Sequence, residues 1–153
     1  MRSPLLIAAF GLLAAPALAE SHAMGDAAAG EKEFRKCKSC HTIASADETI
    51  VKGGRTGPNL YNVVGRAAGS VEDFKYSSLM EDAAATGLVW DQENLVAFLE
   101  DPSAYLSEVA GDKGRSKMSF KLTKGGADMA AYLASVSPDA PAMDEEAEAE
   151  SDS

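Results

Sequence analysis

The sequence has 153 residues, of which 46% are hydrophobic and 25% charged, and its formal net charge is −10 at pH 7. A chain of this length suits one compact domain with a modest core and some non-globular ends. It excludes two large domains.

Residues 1–19 have the pattern of a secretory signal peptide. An arginine precedes an apolar, Ala-rich stretch over 5–18, and small residues end it at Ala19. An uncleaved membrane anchor is the alternative, but Pro16 interrupts the stretch, which is also short for crossing about 30 Å of hydrocarbon. We therefore expect cleavage near Ala19/Glu20 and a protein of the periplasm.

The two ends of the remaining chain differ from its middle. Residues 20–25 are interpreted as a short leader and 26–138 as the folded domain. Seven acids and no base lie in residues 139–153: Asp139, Asp144, Glu145, Glu146, Glu148, Glu150 and Asp152. This composition predicts a disordered acidic tail. Residues 20–138 hold 17 acids and 13 bases, so the tail dominates the negative charge.

The first predicted helix leads to the cysteines. Asp26 is a suitable N-cap, and the helix is expected to run to about Lys36 and so to deliver Cys37. Gly30 costs a helix about 1 kcal/mol and is interpreted as a point of close packing, with simple tolerance as the alternative. Residues 43–69 are rich in turn residues, show no regular period and are predicted to be loops.

Three further helices and one short turn are predicted beyond that loop. Residues 77–85 and 91–100 form two helices, the second ending at an Asp-Pro pair. One turn of helix is expected over 103–108, followed by a basic, Gly-containing loop over 111–124. The last helix covers 127–136, and its apolar face is expected to pack on the first helix. The predicted fold class is all-α with long loops.

The motif that carries chemistry is Cys37-Lys38-Ser39-Cys40-His41, which contains the only two cysteines. It is the attachment signature of c-type haem, because two thiols at this spacing can each add to one haem vinyl group while the next histidine binds the iron. One motif predicts one covalently attached haem. A thioredoxin-like dithiol would need a βαβ pattern, a structural zinc site would need more ligands, and a plain disulfide leaves His41 unexplained.

A second axial ligand decides between electron transfer and ligand chemistry, because a filled iron coordination sphere blocks oxygen and peroxide. An open iron would instead indicate a peroxidase or a gas sensor. The candidates after residue 19 are Met24, Met80, Met118, Met129, Met143 and His22. We predict Met118, because it lies in the loop before the last helix; core filling is its alternative. Met80 and Met129 are predicted core residues, and the others lie in predicted flexible ends.

Further residues along the chain extend this pattern. They are Thr56-Gly57-Pro58-Asn59-Leu60, Gly65-Arg66, Trp90 and Lys117-Met118. In this order, and over residues 25–136, the chain resembles class I cytochromes c, above all the soluble bacterial cytochromes c2 and c-550. The resemblance implies the class I cytochrome c fold, with several helices and long loops around one haem, and a single-haem electron carrier that is not an enzyme.

The resemblance also implies roles for four residues near the haem. The Pro58 carbonyl would accept a hydrogen bond from Nδ1 of His41. Arg66, Tyr76 and Trp90 would contact the haem propionates and offset their buried charge. Without the resemblance, Pro58 is a turn residue, Arg66 a surface cation, and the other two are core aromatics.

Nine of the thirteen bases after residue 19 flank the two predicted iron ligands. We call them the basic rim: Lys32, Arg35, Lys36, Lys38, Lys113, Arg115, Lys117, Lys121 and Lys124. Ordinary solvated side chains are the alternative, but such a rim would orient encounters with acidic partner surfaces. The expected partners are membrane redox complexes, such as a cytochrome bc1 complex as donor and a terminal oxidase or photosynthetic reaction centre as acceptor. A monomer without a nucleic-acid partner is expected.

Overall fold

A computed structural model describes residues 25–140 of the chain. The predicted signal peptide, the leader up to residue 24 and the tail from residue 141 lie outside the described residues. The described helices are α1 (Ala27–Glu33), α2 (Ser78–Ala85), α3 (Gln92–Glu100), α4 (Pro102–Ala110) and α5 (Gly126–Ser135), and the strands are β1 (Ile43–Ala44) and β2 (Thr49–Val51). None of these helices has the length and apolar character that a membrane span requires.

Acidic side chains cap three of the five described helices, α1, α3 and α4. The carboxylate of Asp26 accepts backbone N–H bonds from the first turn of α1. Asp91 and Asn94 form a reciprocal capping box at α3, with distances of 2.7 and 3.0 Å. Asp101 ends α3 and also caps α4, where Pro102 occupies a first-turn position that needs no N–H donor. Local side-chain chemistry therefore sets where these helices begin.

The helix α4 corrects the prediction of one short turn over 103–108. It runs from Pro102 to Ala110 and packs against α2 and α3. Leu106 is fully buried there, and Pro102 is buried as well. Tertiary burial of these side chains supports a helix that the local sequence signals only weakly.

The β-hairpin corrects the prediction that residues 43–69 are loops throughout. Ile43 pairs with Val51 and Ala44 with Thr49 in a short antiparallel ladder. Ile43 is completely buried, whereas Ile50 is 42% exposed. Strands of two and three residues are too short to show a period of two, so the pattern in the sequence could not reveal them.

The close approach of α1 and α5 confirms the interpretation of Gly30. A Cβ on Gly30 would lie 2.0 Å from the carbonyl oxygen of Asp128 and 2.7 Å from the Cβ of Tyr132. Only a residue without a side chain lets the two backbones come this near. The rings of Phe34 and Tyr132 pack beside this crossing with centroids 5.5 Å apart.

The helices form a frame around one apolar core. Helix α5 packs against α1 and α3, and α4 packs against α2 and α3. The first two residues of the predicted tail also contact this frame: Asn62 Nδ2 donates to Asp139 at 2.6 Å, and Ala140 packs against the core. The long segments 52–77 and 111–124 are almost free of regular structure, and both contribute residues to one internal cavity.

Candidate functional site

A cavity of ≈ 330 Å³ lies between the helices and the two long segments. All eight site residues predicted from the sequence line it: Cys37, Cys40, His41, Pro58, Arg66, Tyr76, Trp90 and Met118. Apolar side chains such as Leu60, Leu95 and Phe98 make up much of the remaining wall. The fold therefore brings together residues that are up to 81 positions apart in the chain.

The two thiols stand on a helical turn that continues α1. The N–H of Cys37 donates to the carbonyl of Phe34 at 2.8 Å, and the N–H of His41 donates to the carbonyl of Cys37 at 3.0 Å. Both thiols are free. Burial raises the pKa of the Cys37 thiol to about 11, whereas hydrogen bonds to the Thr56 and Ser39 side chains lower the pKa of Cys40. The spacing thus presents two separate thiols at one cavity wall.

The ring of His41 is held by the segment that follows the hairpin. Nδ1 lies 2.8 Å from the carbonyl oxygen of Pro58. A carbonyl can only accept, so Nδ1 carries the hydrogen and Nε2 keeps its lone pair for a metal. Burial lowers the pKa of His41 and outweighs the opposing effect of the Pro58 carbonyl. The lowered pKa favours the neutral ring, and the hydrogen bond to Pro58 fixes the orientation of that ring. Metal ligation requires a neutral, oriented imidazole of this kind.

Gly57 is a contributor whose role the sequence analysis missed. A Cβ there would lie 2.4 to 2.7 Å from three atoms of the His41 ring. The backbone around it is also tied to the attachment turn, because the N–H groups of Gly54 and Gly57 donate to the carbonyls of Lys38 and Cys40, each at 2.9 Å. The position of Gly57 directly before Pro58, the expected partner of His41, is the signal in the sequence that indicates this role.

Arg66 is a half-buried guanidinium rather than a surface cation. Its Nη1 and Nη2 donate to the carbonyls of Tyr61 and Asn59, both at 3.0 Å. Burial lowers the pKa of Arg66, against a weaker opposing effect of Tyr76. No carboxylate within residues 25–140 forms an ion pair with it. A half-buried cation at a cavity wall without a counter-ion suits an anionic group of a cofactor.

Tyr76 and Trp90 line the same cavity as Arg66. Trp90 is 6% exposed and packs on Phe98 with ring centroids 5.0 Å apart. The Tyr76 hydroxyl accepts the N–H of Val71 at 3.3 Å, which leaves its own proton available for donation.

Met118 lies half-buried in the second long segment. Its N–H donates to the hydroxyl of Ser116 at 3.1 Å, and the ammonium of the neighbouring Lys117 donates to the carbonyl of Lys75 at 2.5 Å. Farther along, the N–H of Leu122 donates to the carbonyl of Leu99 at 2.7 Å and anchors the segment to α3. The Lys75 carbonyl was not singled out from the sequence, because it lies 42 positions before Lys117. Ser116 was missed as well, although it stands only two positions before Met118.

The other candidate ligands differ from Met118 in their placement. Met80 on α2 and Met129 on α5 also line the cavity, and both are buried members of the core, as predicted. His22, Met24 and Met143 lie outside the described residues.

All nine side chains of the basic rim are exposed. Lys36 and Lys117 also line the cavity. Lys36 pairs with Glu33, and Lys121 pairs with Asp101 at 2.5 Å. These contacts lower the pKa of both carboxyls. The remaining members form no ion pair with residues 25–140, so most of the rim charge is uncompensated there.

The donor set fits a covalently attached haem better than a lone metal ion. Within the described part of the chain, no three His, Cys, Asp or Glu side chains cluster to hold a metal, which gives no support to a structural zinc site. Two free thiols beside a neutral imidazole, at a large apolar cavity with an uncompensated guanidinium, instead match the vinyl groups, iron and propionates of haem. On an all-α frame these features define a class I c-type cytochrome.

Comparison with known proteins specifies the family, although no family model matches the chain. A cytochrome c2 from Rhodobacter capsulatus is 54% identical over 127 residues, which are 82% of this chain and 89% of that protein. A cytochrome c-551 from Roseobacter denitrificans is 54% identical over 138 residues, 89% of this chain and 96% of that protein. The X-ray structure of cytochrome c2 from Paracoccus denitrificans matches with a TM-score of 0.74 and 49% identity, over 76% of this chain and 99% of that chain. The chain belongs to the cytochrome c2 family.

Membership confirms several predictions made from the sequence. The fold is the class I cytochrome c fold, and the cofactor is one covalently attached haem c. Proteins of this family are electron carriers rather than enzymes, and they exchange electrons with membrane redox complexes. The thioredoxin-like, zinc and disulfide alternatives are therefore excluded.

Proposed function

We propose that this protein is a periplasmic carrier that moves one electron at a time from a bc1-type complex to a terminal oxidase or photosynthetic reaction centre. Its iron ligands in this proposal are His41 and Met118, and its attachment thiols are Cys37 and Cys40. The observation that carries the proposal is that these four side chains reach one cavity from two separate segments. The predicted export signal over residues 1–19 supports the periplasm as its location.

The protein's contribution is to hold a redox centre without moving much. The haem, when bound, supplies an iron that changes its charge by one electron. His41 provides Nε2 while the Pro58 carbonyl fixes its ring. Met118 would provide a thioether as the second iron ligand and would so keep oxygen and peroxide away. Arg66 and Tyr76 offset the propionate charge, and apolar side chains such as Leu95 exclude water.

Replacing the proposed sulfur ligand tests this site directly. Met118→Leu removes the thioether at nearly constant volume, so the weak sulfur-to-iron charge-transfer band at the red edge of the visible spectrum should disappear. The reduction potential should fall by on the order of 100 mV, because a Met/His pair raises it. Met80→Leu is the matched control, since Met80 lines the same cavity but belongs to α2, and it should keep the band. A band that survives in Met118→Leu and is lost in Met80→Leu would reassign the ligand.

The same spectra separate an electron carrier from a ligand-binding haem protein. A low-spin wild-type spectrum that does not change with carbon monoxide is expected if both axial positions are filled. A high-spin spectrum that shifts on adding carbon monoxide would indicate an open iron and support a gas sensor or peroxidase instead.

The basic rim supports the assignment of acidic membrane complexes as partners. Charge reversal of Lys36 or Lys121 should slow electron transfer with these complexes several-fold at low salt, and the difference should vanish at high salt because rim charges act on association. Lys52→Glu is the control, because Lys52 is exposed, lies outside the basic rim and does not line the cavity. If all three charge reversals slow electron transfer equally, the cause is general charge repulsion and the basic rim has no special role.

A further inference from the structure

A second hollow, separate from the axial ligands, lies between α4 and the segment before Met118. We call it the serine groove. Its polar lining consists of Ser103, Ser107, Ser116, Ser119, Lys113, Arg115, Lys121 and Asp101. The groove shares Ser116 and Ser119 with the wall of the haem cavity. It therefore adjoins the segment that carries Met118.

The charge in the serine groove is positive. Lys113 and Arg115 are exposed, and neither forms an ion pair with a carboxylate of residues 25–140. The one acid present, Asp101, is already engaged by the ammonium of Lys121 and by the N–H of Ala104 at 3.1 Å. Three cations against one anion leave an excess of two positive charges.

The serine hydroxyls add hydrogen-bond donors to this charge. The hydroxyl of Ser103 accepts the N–H of Ser116 at 3.0 Å, and the hydroxyl of Ser116 accepts the N–H of Met118 at 3.1 Å. A hydroxyl that accepts from the backbone still has its own proton to donate. The groove thus offers hydroxyl donors beside an ammonium and a guanidinium. The only acidic side chain that lines it, Asp101, is ion-paired with Lys121.

We propose that the serine groove binds a phosphate group. Several donors and two excess positive charges match a tetrahedral oxyanion of charge near −2, and a guanidinium can bind two of its oxygens at once. The phosphate is either free inorganic phosphate or the headgroup of an anionic phospholipid, because both present unesterified, negatively charged phosphate oxygens, although the phospholipid diester carries one negative charge rather than two. The bound group occupies the Lys113 and Arg115 side of the basic rim, so it competes with acidic partners for that side.

The contact between Ser116 and Met118 links this groove to the iron site. An anion bound beside Ser116 stabilises the more positive, oxidised iron by its field. Phosphate at constant ionic strength therefore lowers the reduction potential of the wild-type protein and does so less when Lys113 and Arg115 are neutral. This readout needs no electron-transfer partner, so the groove and the proposed partners are tested separately.

The experiment is a titration of the reduced, haem-loaded mature protein with inorganic phosphate, followed by amide NMR with chloride holding the ionic strength constant. Saturable shifts are expected at Ser103 and over 113–116, with a dissociation constant on the order of 1 mM because the groove is open to solvent. Lys113→Gln/Arg115→Gln should weaken binding at least about tenfold, the loss of two charge-assisted contacts. Lys52→Gln/Arg55→Gln removes the same charge from exposed positions outside the groove and should leave the affinity nearly unchanged.

A second arm identifies the source of the phosphate. Vesicle binding is measured for the wild type and for Lys113→Gln/Arg115→Gln, each with vesicles of phosphatidylglycerol and with vesicles of phosphatidylcholine. Vesicle binding that requires phosphatidylglycerol and both cations, without saturable binding of inorganic phosphate, assigns a lipid headgroup. Saturable inorganic phosphate binding assigns the free anion. Shifts that never saturate, or affinities that fall equally in both charge-neutralised variants, overturn the proposal in favour of general screening.

Discussion

His41 and Met118 are held in the protein by different kinds of contact. The His41 ring is bonded to the Pro58 carbonyl, and Gly57 lies directly against it. Its turn is tied to the following segment by two backbone hydrogen bonds of 2.9 Å. Met118 instead depends on the side chain of Ser116 and on the exposed ammonium of Lys117, and the backbone hydrogen bond that ties its segment to α3, from Leu122 to Leu99, lies four positions farther on.

This difference indicates how the two proposed ligands would behave. Backbone hydrogen bonds and a half-buried ring define a position that exists before any metal is bound, whereas exposed side-chain contacts are worth less and open more easily. We therefore expect the histidine side to be preformed and the methionine side to rely on the bond from sulfur to iron. The methionine segment is then where the environment can most readily change the reduction potential.

The largest expected effect comes from removing one ligand at a time. Met118→Ala should still yield protein with covalently attached haem, because the thiols and the histidine side stay in place. His41→Ala should give little haem-loaded protein, since the attachment turn loses the ring that Gly57 and Pro58 position. Haem staining on denaturing gels and the visible spectrum measure both variants. Equal haem content in the two variants would remove the proposed asymmetry.

A pair of glycine substitutions tests the same comparison through stability. Gly57→Ala would force a Cβ to within 2.4 Å of the His41 ring and should lower the free energy of unfolding by about 2 to 3 kcal/mol. Gly114→Ala, in the methionine segment, meets only the Leu79 side chain, at 3.2 Å or more, and should cost less than about 1 kcal/mol. Denaturant unfolding of the haem-loaded variants measures both values. The comparison fails if Gly114→Ala is the more costly change.

The smallest expected difference in stability is between replacing Asn59 on the histidine side and replacing Ser116 on the methionine side. Asn59 accepts the N–H groups of Ala44 and Tyr61 at 3.1 Å and donates to the Ala44 carbonyl at 2.7 Å. Asn59→Ala should cost about 2 kcal/mol, because these half-buried backbone groups lose their partners. Ser116→Ala removes one side-chain acceptor and should cost about 1 kcal/mol. Thermal unfolding gives the ranking, and a reversed order would contradict the expected rigidity of the histidine side.

Local chemistry made several elements predictable from the chain alone. Asp26 and Asp91 cap α1 and α3 where expected, because a side-chain carboxylate next to free N–H groups acts over only a few residues. The haem motif is equally local, with two thiols and a histidine inside one turn. Gly30 indicated close packing, and the partner it meets, the backbone near Asp128, is supplied by α5 at the far end of the chain.

Other features depend on residues that are distant in sequence. The pairing of Ile43 with Val51 and the full length of α4 follow from burial, so short local patterns did not reveal them. The burial of Arg66 could not be predicted from the sequence for the same reason. A cation in a turn-rich segment reads as a surface residue until the fold half-buries it against the carbonyls of Asn59 and Tyr61.

The sequence by itself determined the attachment motif, the all-α class, the helix starts and the residues to examine as iron ligands, because each depends on side chains within about one or two helical turns. Only the tertiary structure decided that Met118 reaches the cavity that His41 lines, that Gly57 must lack a side chain and that Ser116 meets Ser103 of α4. These relations are set by which surfaces pack together, and packing joins segments whose separation along the chain carries no local signal.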